Sequence, residues 1–262
     1  MSKAIGRIAA IAVFLIAQAA LANAAELKVF STIGVQAALE ELTPKFEKAT
    51  GNKLTITWGT AAMLVKRVQG GENPDLLVLT KQGFDALVKD GKAVNSTDAV
   101  FASSGMALVV KKGAPKPDIS TAEKYKATLL KAKTIAYSNP AAGGASGVFF
   151  AKTLERMGIA DPMKDKTKHP PAGGNSANLV VSGEAELAVQ QEPEVMSVAG
   201  VDIVGPPPGN LNNVTMYSAG AVAGNKQADA GKALVNFLHS PEAQAVFKAR
   251  GLKPEGTAAK AS

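Results

Sequence analysis

Two hydrophobic periods alternate along the chain. Short runs dominated by β-branched and large apolar residues are followed by longer runs in which apolar residues return every three or four positions. LKVFST (27–32) precedes VQAALEELTPKFEKATG (35–51), where Ala38, Leu42 and Phe46 share one helical face and Gly51 marks the stop. KLTITW (53–58) precedes AAMLVKRVQGG (61–71), and DLLVL (75–79) precedes QGFDALVKDG (82–91). This βαβ grammar predicts a mostly parallel sheet with helices on both faces.

A second set of elements follows. MALVVKK (106–112) reads as a crossing strand, 120–133 as a helix, TIAYS (134–138) as a strand, and 146–158 and 175–183 as helices. AELAVQQ (185–191) and VDIVG at the start of 201–209 are strands, MYSAGAVAG (216–224) is a returning strand, and two helices, 228–239 and 241–251, close the chain. The expected fold is α/β, with two lobes joined by two crossing strands near 104–112 and 214–223. Lobe 1 is assigned 25–106 plus 220–262, with the closing helices packed on it, and lobe 2 is assigned 107–219. A cleft between such lobes can close like a hinge.

The first two dozen residues stand apart from this pattern. Lys3 and Arg7 precede an uncharged apolar run too short to span a bilayer, and Ala20-Leu21-Ala22 or Ala22-Asn23-Ala24 offers small residues for cleavage. The segment is expected to be a secretory signal, 1–22 with cleavage after 22 or 24, which implies a periplasmic protein without a membrane anchor. Setting aside Lys3 and Arg7 leaves 27 basic against 22 acidic side chains, a net charge of +5. That excess suits an anionic small ligand. The lysines of KDKTK (164–168) carry no interleaved aromatics, so they read as a solvated face and nucleic acid is not expected as a partner. The chain has no cysteine, which excludes disulfides, iron–sulfur clusters and a thiol nucleophile. Two histidines seventy residues apart make no metal cluster, so no metal and no cofactor are expected.

Four strand-to-helix junctions are built from small or hydroxyl residues: STIGV (31–35), WGTAAM (58–63), NPAAGGASG (139–147) and AGGNSAN (172–178). Helix N-termini expose unpaired N–H groups and the positive end of the helix dipole, and small residues let a ligand reach them. In a parallel α/β sheet such junctions lie at the carboxyl ends of strands, where ligands bind. One junction alone is explained by turn geometry and helix capping. Four facing one cleft make an anion receptor.

Over residues 26–51, 58–88, 134–161 and 239–255, and so over nearly the whole stretch from Glu26 to Glu255, the sequence resembles the periplasmic molybdate-binding protein family. The resemblance implies the type II periplasmic binding protein fold. That family's pocket uses serine hydroxyls on the first two junctions, backbone N–H groups on the next two, and a tyrosine after the AELAV-type strand. Here the matching positions are Gly34, Ala61 with Ala62, and Gln191. The hydroxyls suited to a compact tetrahedral dianion are gone, while Thr32, Thr60, Ser146, Gly147, Asn175, Ser176, Gln190 and Gln191 remain as neutral contacts. A larger, flatter, multiply carboxylated anion fits such a pocket better. Within the family the resemblance implies an isomerase that interconverts trans- and cis-aconitate by an allylic proton shift. The alternative is the substrate-binding component of an ABC importer for molybdate-like oxyanions or small carboxylates, with the permease as its partner.

An allylic proton shift needs a general base. His169, before the fourth junction, has a suitable intrinsic pKa, although it also reads as the surface end of a charge run. Glu192, directly after the glutamine pair, can swing into a cleft or remain a surface carboxylate. Lys66, with Arg67 beside it, lies one turn into the second junction's helix. Tyr137 and Tyr217 are proton donors or lobe lining, and His239 reads as a helix C-terminal residue.

Overall fold

The structure, a computed structural model, describes residues 25–256, so the proposed signal lies outside the described residues. In the first lobe β1 (Glu26–Thr32), β2 (Lys53–Gly59) and β3 (Leu76–Thr80) alternate with α1 (Gln36–Thr50), α2 (Ala61–Gln69) and α3 (Lys81–Lys89). After β4 (Ala99–Ser104) the chain enters the second lobe. There it forms β5 (Met106–Lys111), α4 (Ala122–Lys131), β6 (Ile135–Tyr137), α5 (Ala145–Arg156), α6 (Ala160–Lys164) and β7 (Thr167–Lys168). It continues through α7 (Ala177–Ser182), β8 (Leu187–Gln191), α8 (Glu192–Met196) and β9 (Val201–Gly205). The return brings β10 (Thr215–Ala221), α9 (Ala228–Leu238), α10 (Pro241–Ala249) and β11 (Lys253–Pro254).

Two sheets result, in the orders β11-β4-β10-β3-β1-β2 and β7-β6-β8-β5-β9. β1 runs parallel to β2 and β3, and β6 runs parallel to β7 and β8. The crossing strands break the parallel rule: β10 pairs antiparallel with β3 and β4, and β5 pairs antiparallel with β8 and β9. They enter each sheet from the neighbouring lobe and so run against the strands already there. The result is the expected α/β architecture of the type II periplasmic binding proteins, with two lobes and two crossings.

One boundary differs from the sequence expectation. The first lobe was expected to resume at residue 220, yet β10 already pairs with the first sheet at Thr215, opposite Ser104. Both crossings are therefore short, one at Gly105 and the other between Leu211 and Thr215. Asn212 ties them together, its Oδ1 accepting from Met106 N at 2.8 Å. The local apolar pattern identifies a strand over 216–224; only the long-range pairing says which sheet takes it.

Each lobe has its own core. In the first, the predicted face of α1 packs with the closing helices: Phe46 meets Phe237 edge-on at 5.5 Å between centroids, and Phe101 meets Phe247 at 5.3 Å. In the second, Tyr125, Leu129, Phe150, Leu154 and Met163 pack onto β6 and β8. Among the described residues no helix is long and apolar enough to cross a membrane. Phe46 is fully buried between α1 and α9, so Phe46→Ala leaves a cavity and is expected to cost about 3–5 kcal/mol. Urea unfolding checks this, with the exposed Lys48→Ala expected to leave the midpoint nearly unchanged.

Candidate functional site: the cleft between the lobes

The four small-residue junctions converge. The space between the lobes, about 560 Å³ including its open mouth, is lined by Thr32, Ile33 and Gly34 from the first junction and by Thr60 and Ala61 from the second. Asn139, Ala142 and Gly144–Ser146 come from the third, and Ala172–Gly174 from the fourth. Thr80, Ser138, Pro171, Gln191, Glu194, Thr215 and Tyr217 complete the wall.

Local sequence explains why these residues present donors. Gly144 precedes α5 as its N-cap and has no side chain with which to cap, so the first-turn N–H groups of α5 meet no capping side chain at the cleft. Gly147 serves another purpose: a Cβ there would lie 2.1 Å from the Ser138 carbonyl oxygen, so its missing side chain lets α5 close onto the end of β6. On the opposite lobe Thr60 caps α2, its Oγ1 accepting from Met63 N at 3.2 Å. The same hydroxyl donates across the mouth to Ala142 O at 3.2 Å, so one side chain both starts a helix and joins the lobes. Ala62 is exposed at this lip and faces Gly143 of the other lobe.

None of the lining residues is lysine, arginine or histidine, and the one carboxylic acid among them is Glu194. It sits in the first turn of α8, which follows β8 without a loop. Burial raises its pKa from 4.5 to about 7, opposed in part by a hydrogen bond from the Gln190 amide. Gln190 is itself fully buried and held from behind, its Oε1 accepting from Ser176 N at 2.7 Å and Ser176 Oγ at 2.6 Å. Asn175 is likewise spent on structure, its Nδ2 donating to Glu194 O and its Oδ1 accepting from Ala177 N. Gln190, Asn175 and Ser176, read from sequence as ligand donors, therefore position Glu194, because their polar groups find protein partners first.

The structure places the three expected bases off the wall. His169 is exposed, its ring edge-on to Tyr137 and its Nδ1 2.9 Å from Tyr137 O. Lys66 is exposed in the last turn of α2. Its neighbour Arg67 lies over the Phe30 ring at 4.5 Å and pairs with Glu72 at 2.6 Å. Glu192 starts α8, its N–H donating to Gly105 O at 3.0 Å and its side chain turned toward Gly251. Tyr137 is buried against Phe150 in the second core, and His239 caps α9 with Nδ1 2.9 Å from Val235 O. Glu194 had one signal in the sequence. Pro193 is a residue favoured at the start of a helix, so it marks a helix beginning at Glu192 and turns residue 194 back toward the strand end.

The folded protein holds the Glu194 proton more tightly than the unfolded chain, so stability falls as pH rises from about 4.5 to about 7. Glu194→Gln keeps an acceptor for Gln190 and removes the buried charge. Thermal melts are expected to show this variant more stable than the parent at pH 8 and equal to it near pH 4.

Comparison with known proteins places this geometry among relatives. The profile of the family described as bacterial extracellular solute-binding protein matches residues 27–253. An aconitate isomerase of Pseudomonas sp is 35% identical over 234 residues, covering 87% of this chain and 87% of the relative. A molybdate-binding protein of Escherichia coli is 23% identical, covering 91% of this chain and 93% of the relative. Among solved structures, the periplasmic molybdate-binding protein of Azotobacter vinelandii superposes with a TM-score of 0.71 at 20% identity, covering 88% of this chain and all of that one.

Proposed function

Since the chain belongs to the bacterial extracellular solute-binding protein family, we propose that it is an exported, cofactor-independent isomerase that interconverts trans- and cis-aconitate in the cleft between its lobes. The observation that carries this reading is Glu194, a carboxyl group with a pKa of about 7 on the wall of a cleft otherwise made of neutral donors. A receptor that only binds anions gains nothing from an ionised carboxylate there, since its charge repels the ligand. A proton-transfer enzyme needs a base poised near the working pH. The 35% identity to an aconitate isomerase supports the substrate. The N-terminal pattern and the family support export to the periplasm.

The step balances without any redox partner. Glu194 takes a proton from the substrate CH2, and the C–H electron pair becomes the new C=C bond. The former double bond supplies the pair that accepts a proton at the far alkene carbon, returned by Glu194. Charge that builds on the carboxylates of the two reacting carbons is met by the first-turn N–H groups of α5 and by the neutral hydroxyls of Thr32 and Ser146. Donors already fixed by the fold need no reorganisation as that charge develops.

The second reading is a passive receptor that delivers an oxyanion or small carboxylate to an ABC permease. It is favoured by the molybdate-binding relatives and by a mouth that the Thr60 hydroxyl already bridges. Incubation with trans-aconitate, followed by chromatography, separates the two. Formation of the cis isomer is expected, with kcat/KM rising through pH about 7 as Glu194 loses its proton. Glu194→Gln is expected to lower turnover by about 10²–10⁴-fold while still binding substrate. His169→Ala, Glu192→Gln and Lys66→Ala are expected to stay within a few-fold of the parent. No conversion, together with tight molybdate binding, establishes the receptor instead.

A further inference from the structure

Tyr217 reaches the cleft from β10 and occupies the place beside the first junction. It is buried, and a Cβ with ideal geometry on residue 34 would stand 2.5 Å from its hydroxyl oxygen and 3.0 Å from its ring. Gly34 therefore makes room for the phenol of a different strand, and the first junction exchanges a side chain of its own for a tyrosine hydroxyl.

That hydroxyl ends a chain of hydrogen bonds whose direction is set at the hinge. Asn213 Nδ2 donates to Thr215 Oγ1 at 3.2 Å. The buried Gln191 amide lies between Thr215 and the turn from β4 to β5, where one end of it faces the peptide oxygens of Ser104 at 3.3 Å and Gly105 at 2.9 Å. Carbonyl oxygens only accept, so that end is the amide nitrogen. Thr215 Oγ1 then donates to Gln191 Oε1 at 2.8 Å, and Gln191 Nε2 donates to Ser104 Oγ at 2.6 Å. The Ser104 hydroxyl hydrogen is left with Tyr217 Oη, 3.1 Å away, as its acceptor. The phenol oxygen thus accepts from Ser104, and its own hydrogen is left for a partner in the cleft that Tyr217 lines. Each bond in such a chain polarises the next.

We infer that Tyr217 is a ligand-binding residue, its hydroxyl donating to a carboxylate oxygen of the bound anion, and that the Gly34–Tyr217 pair sets the preference of the cleft for a carboxylate over a tetrahedral oxyanion. Burial, with the nearby Glu194 charge acting the same way, pushes ionisation of this phenol well above its ordinary range, so it remains a donor through neutral pH. The inference rests on the reading of the cleft as a carboxylate site and is independent of turnover.

Calorimetric titration of the intact protein with trans-aconitate and, separately, with sodium molybdate tests it. Tyr217→Phe keeps the ring against Gly34 and removes only the hydroxyl; it is expected to weaken trans-aconitate binding about 10- to 100-fold while binding no less molybdate than the parent. Ser104→Ala removes the donor behind the phenol and is expected to give a smaller loss in the same direction. Trans-aconitate is also expected to perturb the tyrosine absorption of the parent and not that of Tyr217→Phe, a signature that a merely structural tyrosine would not produce. Unchanged affinity and an unchanged difference spectrum in Tyr217→Phe overturn the inference. A parent that binds molybdate and ignores trans-aconitate overturns the carboxylate reading and the specificity claim with it. The Tyr217→Phe titration against molybdate then still decides whether the hydroxyl meets the ligand.

Discussion

The arrangement of the cleft depends on the desolvation of one carboxyl group. Glu194 is half-buried on the cleft wall without a cation beside it, and the cost of desolvating its charge moves its proton affinity toward neutrality. A lysine or arginine beside it on the wall would have held it ionised at every working pH. The lining instead offers hydroxyls, an amide and helix N-termini, which stabilise negative charge on a ligand without fixing a full positive charge next to Glu194. The residues behind it serve the same end. Gln190 is satisfied on one side by Ser176 and on the other by Glu194, so the carboxyl is held in one orientation by a group that cannot itself titrate.

The hinge and the site share atoms. Gly105 forms the whole link between β4 and β5, and its carbonyl oxygen accepts from Glu192 N at the start of α8 and from the Gln191 amide. The helix that carries Glu194 and the relay that ends at Tyr217 are therefore both anchored at the point where the lobes join. Asn212 holds the second crossing against the first through Met106 N. Thr60, at the opposite rim, closes the mouth with the hydroxyl that caps α2. Cleft geometry and lobe position are thus tied by short hydrogen bonds at both rims.

By itself the sequence determined the alternating elements, because the two hydrophobic periods are local and each helix start carries its own signal. Thr60 and Thr80 are hydroxyl caps, Pro193 and Pro241 open helices, and Gly51 ends α1. Those same signals mark the four junctions, and the α/β order implies that they lie together at strand ends, so Thr32, Gly34, Thr60, Ala61 and Ser146 could be read as cleft residues before any coordinates. Tertiary structure decided everything that depends on which polar group finds a partner first. Gln190, Asn175 and Ser176 look like ligand donors in one dimension, and only the packing of α7 against β8 turns them inward to hold Glu194. His169, Glu192 and Lys66 have the right chemistry and face the wrong way, because side-chain direction follows from how an element docks. Burial, and with it the pKa that distinguishes Glu194 from Glu192, is a property of neighbours brought from far along the chain, as is the meeting of Gly34 with Tyr217 across 183 residues.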